Sequence, residues 1–208
     1  MATDRASLKP SHIGPRLRQQ REQNGISLRE IARRIGVSPS LITQIERDKV
    51  NPSVVTLYAL VRELGLTMGD LFAAEDGSEP SGTQPPSTSP VVGPAERGVI
   101  HLASGVTWER LTAERDSSAE FLLVTYDVGS ESCPADSLVT HGGREYGYVV
   151  SGRLGVRIGF DEYDLGPGNS ISFDSSSPHR LWALGDERVE AIWVVVGRQS
   201  DSRVRPAG

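Results

Sequence analysis

Two groups of residues in this 208-residue chain carry side chains suited to chemistry. The first lies between Ser38 and Arg47, where Ser40, Thr43, Gln44 and Arg47 fall at i, i+3, i+4 and i+7. That spacing gathers them on one helical face and leaves Leu41, Ile42 and Ile45 on another. Short hydroxyls, an amide and a guanidinium suit the base edges of a major groove: Gln bonds adenine bidentately, Arg bonds guanine, and hydroxyls serve either. Arg29, Arg33, Arg34 and Lys49 flank this face and suit phosphate oxygens, which hold a protein on a duplex without reading its sequence. The second group is split between two segments. One is His141-Gly-Gly-Arg-Glu145, followed by Gly152. The other runs from Leu165-Gly-Pro-Gly168 to Asp174 and on to Pro178-His179.

The first group sits among predicted helices. Ile13 and Leu17 share a face of a helix that stops at Asn24-Gly25. Ser27-Leu28-Arg29-Glu30 has the pattern of a capping box, in which Ser27 bonds the amide three residues on and Glu30 reaches back. The helix it opens buries Leu28, Ile31, Ala32 and Ile35 and ends at Gly36. Ser38 then caps again, with Pro39 at the first helical position. A further helix starts after Ser53 and places Val54, Leu57, Tyr58 and Val61 on one face. Thr67 and Asp70 mark a last short helix that turns Met68, Leu71 and Phe72 inward. A helix, a tight turn and a second helix make a helix-turn-helix.

The second group sits among short runs rich in Val, Ile, Tyr, Phe and Trp, separated by Gly, Pro, Asp and Ser. These span residues 98–103, 106–111, 120–128, 145–150, 153–160, 169–173, 179–184 and 189–196. Many short strands with regular turns predict a sandwich or barrel. Tyr146, Tyr148, Trp182 and Trp193 are expected to pack that barrel, and Cys133 to be a small packed residue.

Charge separates the halves. Residues 1–74 hold eleven Lys or Arg against seven Asp or Glu, a net +4; residues 75–208 hold eleven against twenty, a net −9; together they give −5. Between them, residues 75–96 contain five prolines among 22 residues, with Ser, Thr and Gly filling much of the rest. Such a stretch lacks the apolar surface to offset its ordering entropy and reads as a flexible linker. The expected organisation is therefore a DNA-binding domain over 1–74, a linker over 75–96 and a barrel over 97–208. No apolar run approaches the ~18 residues of a membrane helix. The N-terminus lacks a signal-peptide core, and the single cysteine excludes an intramolecular disulfide and a cysteine-based zinc site. A cytoplasmic protein with no membrane partner is expected.

Residues 13–72 resemble the lambda repressor-like (XRE) helix-turn-helix family. The S-x-x-E box, the glycine turn, I-x-x-I-E-R and N-P-S all fall in register. The resemblance implies an all-α, five-helix domain whose third helix reads bases through Ser38, Pro39, Ser40, Thr43 and Gln44. Residues 98–197 resemble cupins, all-β jelly-roll barrels. His141, Glu145 and Gly152 match the first cupin motif; Gly168 and His179 match the second. The first motif's other histidine position is Val139, and the second motif's proline, glycine and asparagine are Asp174, Ser176 and Ala183. The family's metal set is thus reduced to His141, Glu145 and His179, with Val139 an apolar wall beside it. Two imidazoles and a carboxylate with open positions suit iron, and also zinc, manganese or nickel. Without a metal, the three groups form a polar floor able to hold an organic ligand.

A repressor-like reader joined to a cupin resembles the bacterial regulator family of the putrescine-utilisation repressor. That implies a sequence-specific DNA-binding regulator, not an enzyme. Its cupin would sense a small-molecule effector and pair two copies on a double-stranded operator as a homodimer. The alternative is a non-haem iron oxygenase resembling the hydroxypropylphosphonate epoxidases, which share the layout. Their helical domain supplies an active-site lysine near the end of its first helix. Here that region is Asn24-Gly25, and lysine occurs only at Lys9 and Lys49. The long linker is also expected to loosen any site shared between the domains.

Overall fold

A computed structural model describes residues 12–72, 89–113 and 118–197. Most of the expected linker, residues 75–88, lies outside the described residues.

The N-terminal part holds α1 (Ile13–Gln23), α2 (Leu28–Ile35), α3 (Pro39–Glu46), α4 (Val54–Leu64) and α5 (Met68–Leu71). The hydroxyls of Ser27, Ser38, Ser53 and Thr67 accept the amide three residues on at 3.1–3.2 Å, opening the last four helices. One half of the expected capping box is absent. The Glu30 carboxylate does not turn back; it accepts from Arg33 and Arg34 at 2.8 and 2.9 Å. Two charge-assisted bonds outweigh one bond to a neutral amide, and these guanidiniums lower the Glu30 carboxyl to about 2.

Leu17, Ile31, Ile42, Ile45 and Leu57 form the centre of the helical core. One ion pair crosses it. Arg21 on α1 donates to both carboxylate oxygens of Glu46 on α3 at 2.6 and 2.9 Å, and a third guanidinium nitrogen donates to the Ile26 carbonyl. Arg21 and Glu46 are only 7% and 8% exposed.

The C-terminal part is antiparallel: β1 (Val99–His101), β2 (Val106–Arg110), β3 (Ala119–Tyr126), β4 (Arg144–Ser151), β5 (Arg153–Ile158), β6 (Asp161–Leu165), β7 (Ser170–Asp174), β8 (His179–Leu184) and β9 (Val189–Val196). One sheet runs β1-β2-β3-β9-β4-β7 and the other β6-β5-β8. Each expected run holds one strand. The additional strand, β6, is an edge strand reading Asp-Glu-Tyr-Asp-Leu whose first four residues are exposed. With no apolar face to bury, it carries no alternating signal.

The two parts touch, unlike the loosely tethered pair expected from the linker. Tyr58 on α4 lies with its ring 5.6 Å from Trp108 of β2, and the Ala103 amide donates to the Pro52 carbonyl at 3.0 Å. Gly98 sits against Phe72. Of the face expected to be helical core, Val54, Leu57 and Val61 are buried, whereas Tyr58 is only partly buried and turns to the barrel.

Candidate functional site

β4 carries Glu145 inward, and its register places it opposite Phe173 of β7 and Val195 of β9. His179 opens β8. Its backbone exchanges both hydrogen bonds with Val139 at 2.8 and 2.9 Å, which brings the loop before β4 across the barrel. His141 follows in that loop, fixed by its amide on the Ser175 carbonyl at 3.1 Å. Gly152 then turns the chain from β4 into β5 at φ +73°; a Cβ there would lie 2.4 Å from the Arg188 carbonyl oxygen.

The imidazole Nε2 atoms of His141 and His179 stand 2.9 and 3.2 Å from Glu145 Oε1. Ligating atoms of all three residues lie within 4.8 Å of one another. The second contact of each ring fixes its chemistry. Nδ1 of His141 faces the Gly142 carbonyl at 3.1 Å, and Nδ1 of His179 faces the Ser177 carbonyl at 2.9 Å. A carbonyl only accepts, so each Nδ1 carries a proton. In a neutral ring, Nε2 then presents a lone pair to the carboxylate.

Glu145 Oε1 is buried and has no hydrogen bond of sound geometry. Its partner oxygen, Oε2, accepts from the Trp193 indole at 2.6 Å. Three lone-pair donors therefore converge on one buried point and require positive charge there, as protons on the rings or as a metal cation. Burial opposes ionisation of Glu145, but the facing imidazoles, when they carry the positive charge, outweigh it and hold its carboxyl well below the usual range. The donor set fits a divalent metal: two nitrogens and one oxygen, each imidazole oriented by a backbone carbonyl and the carboxylate by an indole.

The cavity above these groups measures ≈ 40 Å³, with walls that include Val139, Trp108, Leu122 and Val195. Val139 lines this cavity together with the three groups. Its roof comes from the helical part: Val54 and Tyr58 of α4 line it, and the Tyr58 ring lies 5.2 Å from that of His141. No sequence signal marked this contact.

Trp193 was expected only as packing, yet its indole also orients the Glu145 carboxylate. Its ring lies on Gly147, where a Cβ would come within 2.1 Å of the indole. Gly147→Ala is expected to cost about 1–3 kcal/mol by overpacking and to weaken metal binding by shifting Trp193. Chemical denaturation and metal titration of the variant check both effects. Tyr146 and Tyr148, also expected to pack the barrel, instead project from the outer face of the larger sheet, 44% and 49% exposed. Cys133 is buried, and burial pushes its thiol up.

The candidate DNA face is largely exposed. Ser38, Pro39, Ser40, Gln44 and Arg47 are exposed along α3, with Arg29, Arg33, Arg34 and Lys49 exposed around them. Thr43 is half-buried and donates its hydroxyl to the Pro39 carbonyl at 2.9 Å. Arg33 and Arg34 share the Glu30 carboxylate, which offsets part of their charge.

A helix-turn-helix family model matches residues 17–71, and a cupin-domain model matches residues 122–195. The chain is 29% identical over 168 residues to the HTH-type transcriptional regulator PuuR of Escherichia coli (strain K12), covering 80% of this chain and 84% of that one. It is 24% identical over 173 residues to the HTH-type transcriptional regulator SutR of the same organism, covering 83% and 88%. Its fold matches the crystal structure of an HTH_3 family transcriptional regulator from Vibrio cholerae with a TM-score of 0.62 at 23% identity, covering 91% of this chain and 97% of that chain. No helix among the described residues is long and apolar enough to cross a membrane. The chain belongs to the XRE-type helix-turn-helix transcriptional regulators that carry a C-terminal cupin domain.

Proposed function

We propose that this regulator is a cytoplasmic, non-enzymatic protein that reads a double-stranded operator through α3 and senses a small molecule at a metal centre in its barrel. The convergence of His141, Glu145 and His179 lone pairs on one buried point carries the sensing half. These residues hold the divalent metal, whose Lewis acidity attracts an anionic or amino-acid-like head group. Val139, Trp108 and Leu122 receive the apolar remainder of such an effector.

Ser38, Pro39, Ser40, Gln44 and Arg47 meet base edges, and Thr43 contributes mainly its methyl group because its hydroxyl is engaged. Arg29 and Lys49 hold phosphates, with Arg33 and Arg34 contributing less through their bonds to Glu30. Gln44→Ala is expected to cost about 1–3 kcal/mol on the preferred site and to relax selection at one base pair. Arg29→Ala is expected to weaken all duplexes alike and to reduce the salt slope by about one. Affinities on preferred and random duplexes across a salt series separate the two. Equal loss on both duplexes for Gln44→Ala contradicts base reading.

Two readers on one operator require a dimer with half-sites about 34 Å apart or a multiple of it. We place the pairing surface on the outer face of β3, β9 and β4. There Phe121, Val194 and Tyr146 form one cross-strand row and Ile192 and Tyr148 the next, with Phe121 38% exposed. Tyr146→Glu is expected to turn the dimer into a monomer in sedimentation of the intact chain; an unchanged dimer moves the interface elsewhere.

A further inference from the structure

The barrel's roof is made by the DNA-reading part of the same chain, and this bears on how the two are coupled. The space over His141, Glu145 and His179 is ≈ 40 Å³. That is room for a few water molecules and well short of the ~150 Å³ of a cavity that takes a benzene ring. The floor and walls belong to packed strands. The roof is Tyr58 and Val54, side chains of a helix that belongs to another domain. Tyr58 stands over the metal-facing His141 ring and also meets Trp108 of the wall.

We infer that α4 is the lid of the effector site, and that an organic ligand on the metal centre expels Tyr58 and undocks the DNA-reading domain from the barrel. The inference rests on the metal-centre reading proposed above. α4 cannot yield alone. Its Leu57, Leu60, Val61 and Leu64 are buried in the helical core, 0%, 2%, 7% and 2% exposed. Lifting Tyr58 therefore moves the whole reader, and with it α3. Ligand and docked reader compete for one volume, which supplies the differential affinity for two states that a switch requires. The ligand class follows: a small metal-binding anion with an apolar tail long enough to reach the plane of the Tyr58 ring. A ligand of two or three atoms fits beneath the lid and leaves the reader docked.

The test uses the full chain loaded with cobalt(II), with azide as the short probe and benzohydroxamate as the long one. Cobalt absorption reports binding, and hydrogen–deuterium exchange at the Ala103 amide, which donates to Pro52 across the contact, reports docking. Benzohydroxamate is expected to bind Tyr58→Ala at least about tenfold more tightly than wild type, because an open roof removes the cost of lifting it. Azide should bind both within about twofold, since it meets no lid. In wild type, benzohydroxamate but not azide should speed exchange at Ala103. Equal benzohydroxamate affinity in wild type and Tyr58→Ala, or unchanged Ala103 exchange in liganded wild type, overturns the lid and leaves the metal centre standing. Absence of cobalt binding to wild type overturns the metal centre and the lid with it.

Discussion

Glu145→Gln is expected to lower divalent-metal affinity by at least about a hundredfold. Changes that only disturb a ligand's orienting partner already cost about 10–100-fold, and this substitution removes the charge from the ligand itself. The geometry gives the effect its size. Oε1 is the oxygen that both imidazoles face, and it is buried beyond the reach of a compensating solvent ion. Trp193→Phe tests the second layer. It keeps an aromatic ring, though a smaller one, and deletes the donor to Oε2, so it should fall in the 10–100-fold range. Equilibrium dialysis with zinc or cobalt reads both variants. Wild-type affinity in Glu145→Gln shows that the three groups bond one another and hold no metal.

Arg21→Ala is expected to destabilise the helical domain by about 3–5 kcal/mol, because it strands the buried Glu46 carboxylate without its partner. The loss is larger than the pair's net contribution. Both ions give up hydration to reach the core, and the two parallel bonds to Glu46 and the third to Ile26 offset that cost. Arg21→Met combined with Glu46→Leu should therefore recover most of the lost stability, since it removes both buried charges together. Urea titration of the helical circular dichroism of the intact chain gives both numbers. If the double variant is no more stable than Arg21→Ala, the ion pair contributes a specific geometry that apolar packing does not replace. Glu46 precedes Arg47 at the end of α3, so a weakened pair also frees α3 relative to α1.

The helical caps were legible because each depends on a local pattern: a hydroxyl, three residues, an amide. The Glu30 half of the box was misread because two arginines one turn ahead compete for the same carboxylate. The barrel strands were legible wherever alternation reflects one buried face. β6 escaped because it has no such face. Tyr146 and Tyr148 are expected to pack on residue type alone, whereas their alternation with inward Glu145 and Gly147 puts them on the opposite face of β4. That alternation was available in the sequence. His141, Glu145 and His179 were found through motif spacing. The tautomers that give the group its meaning were not, since they depend on the Gly142 and Ser177 carbonyls. Tyr58 lay further out of reach. Its spacing fits the apolar face of α4, and only tertiary docking turns it to His141. The proline-rich linker pointed to separate domains, but a linker sets how far two domains can part and does not prevent their contact.

The exposed face of α3 is proposed to read sequence. The most direct measurement is a competition on one sample of the intact chain at a single stated salt concentration. It sets a duplex that the protein itself has selected from a random library against random duplex of equal length. Sequence reading predicts a preference of about a thousandfold or more for the selected duplex, much of it lost in Gln44→Ala. A preference near one, unchanged by Gln44→Ala at every salt concentration, would mean that the exposed face of α3 grips phosphate alone and that the chain does not choose an operator.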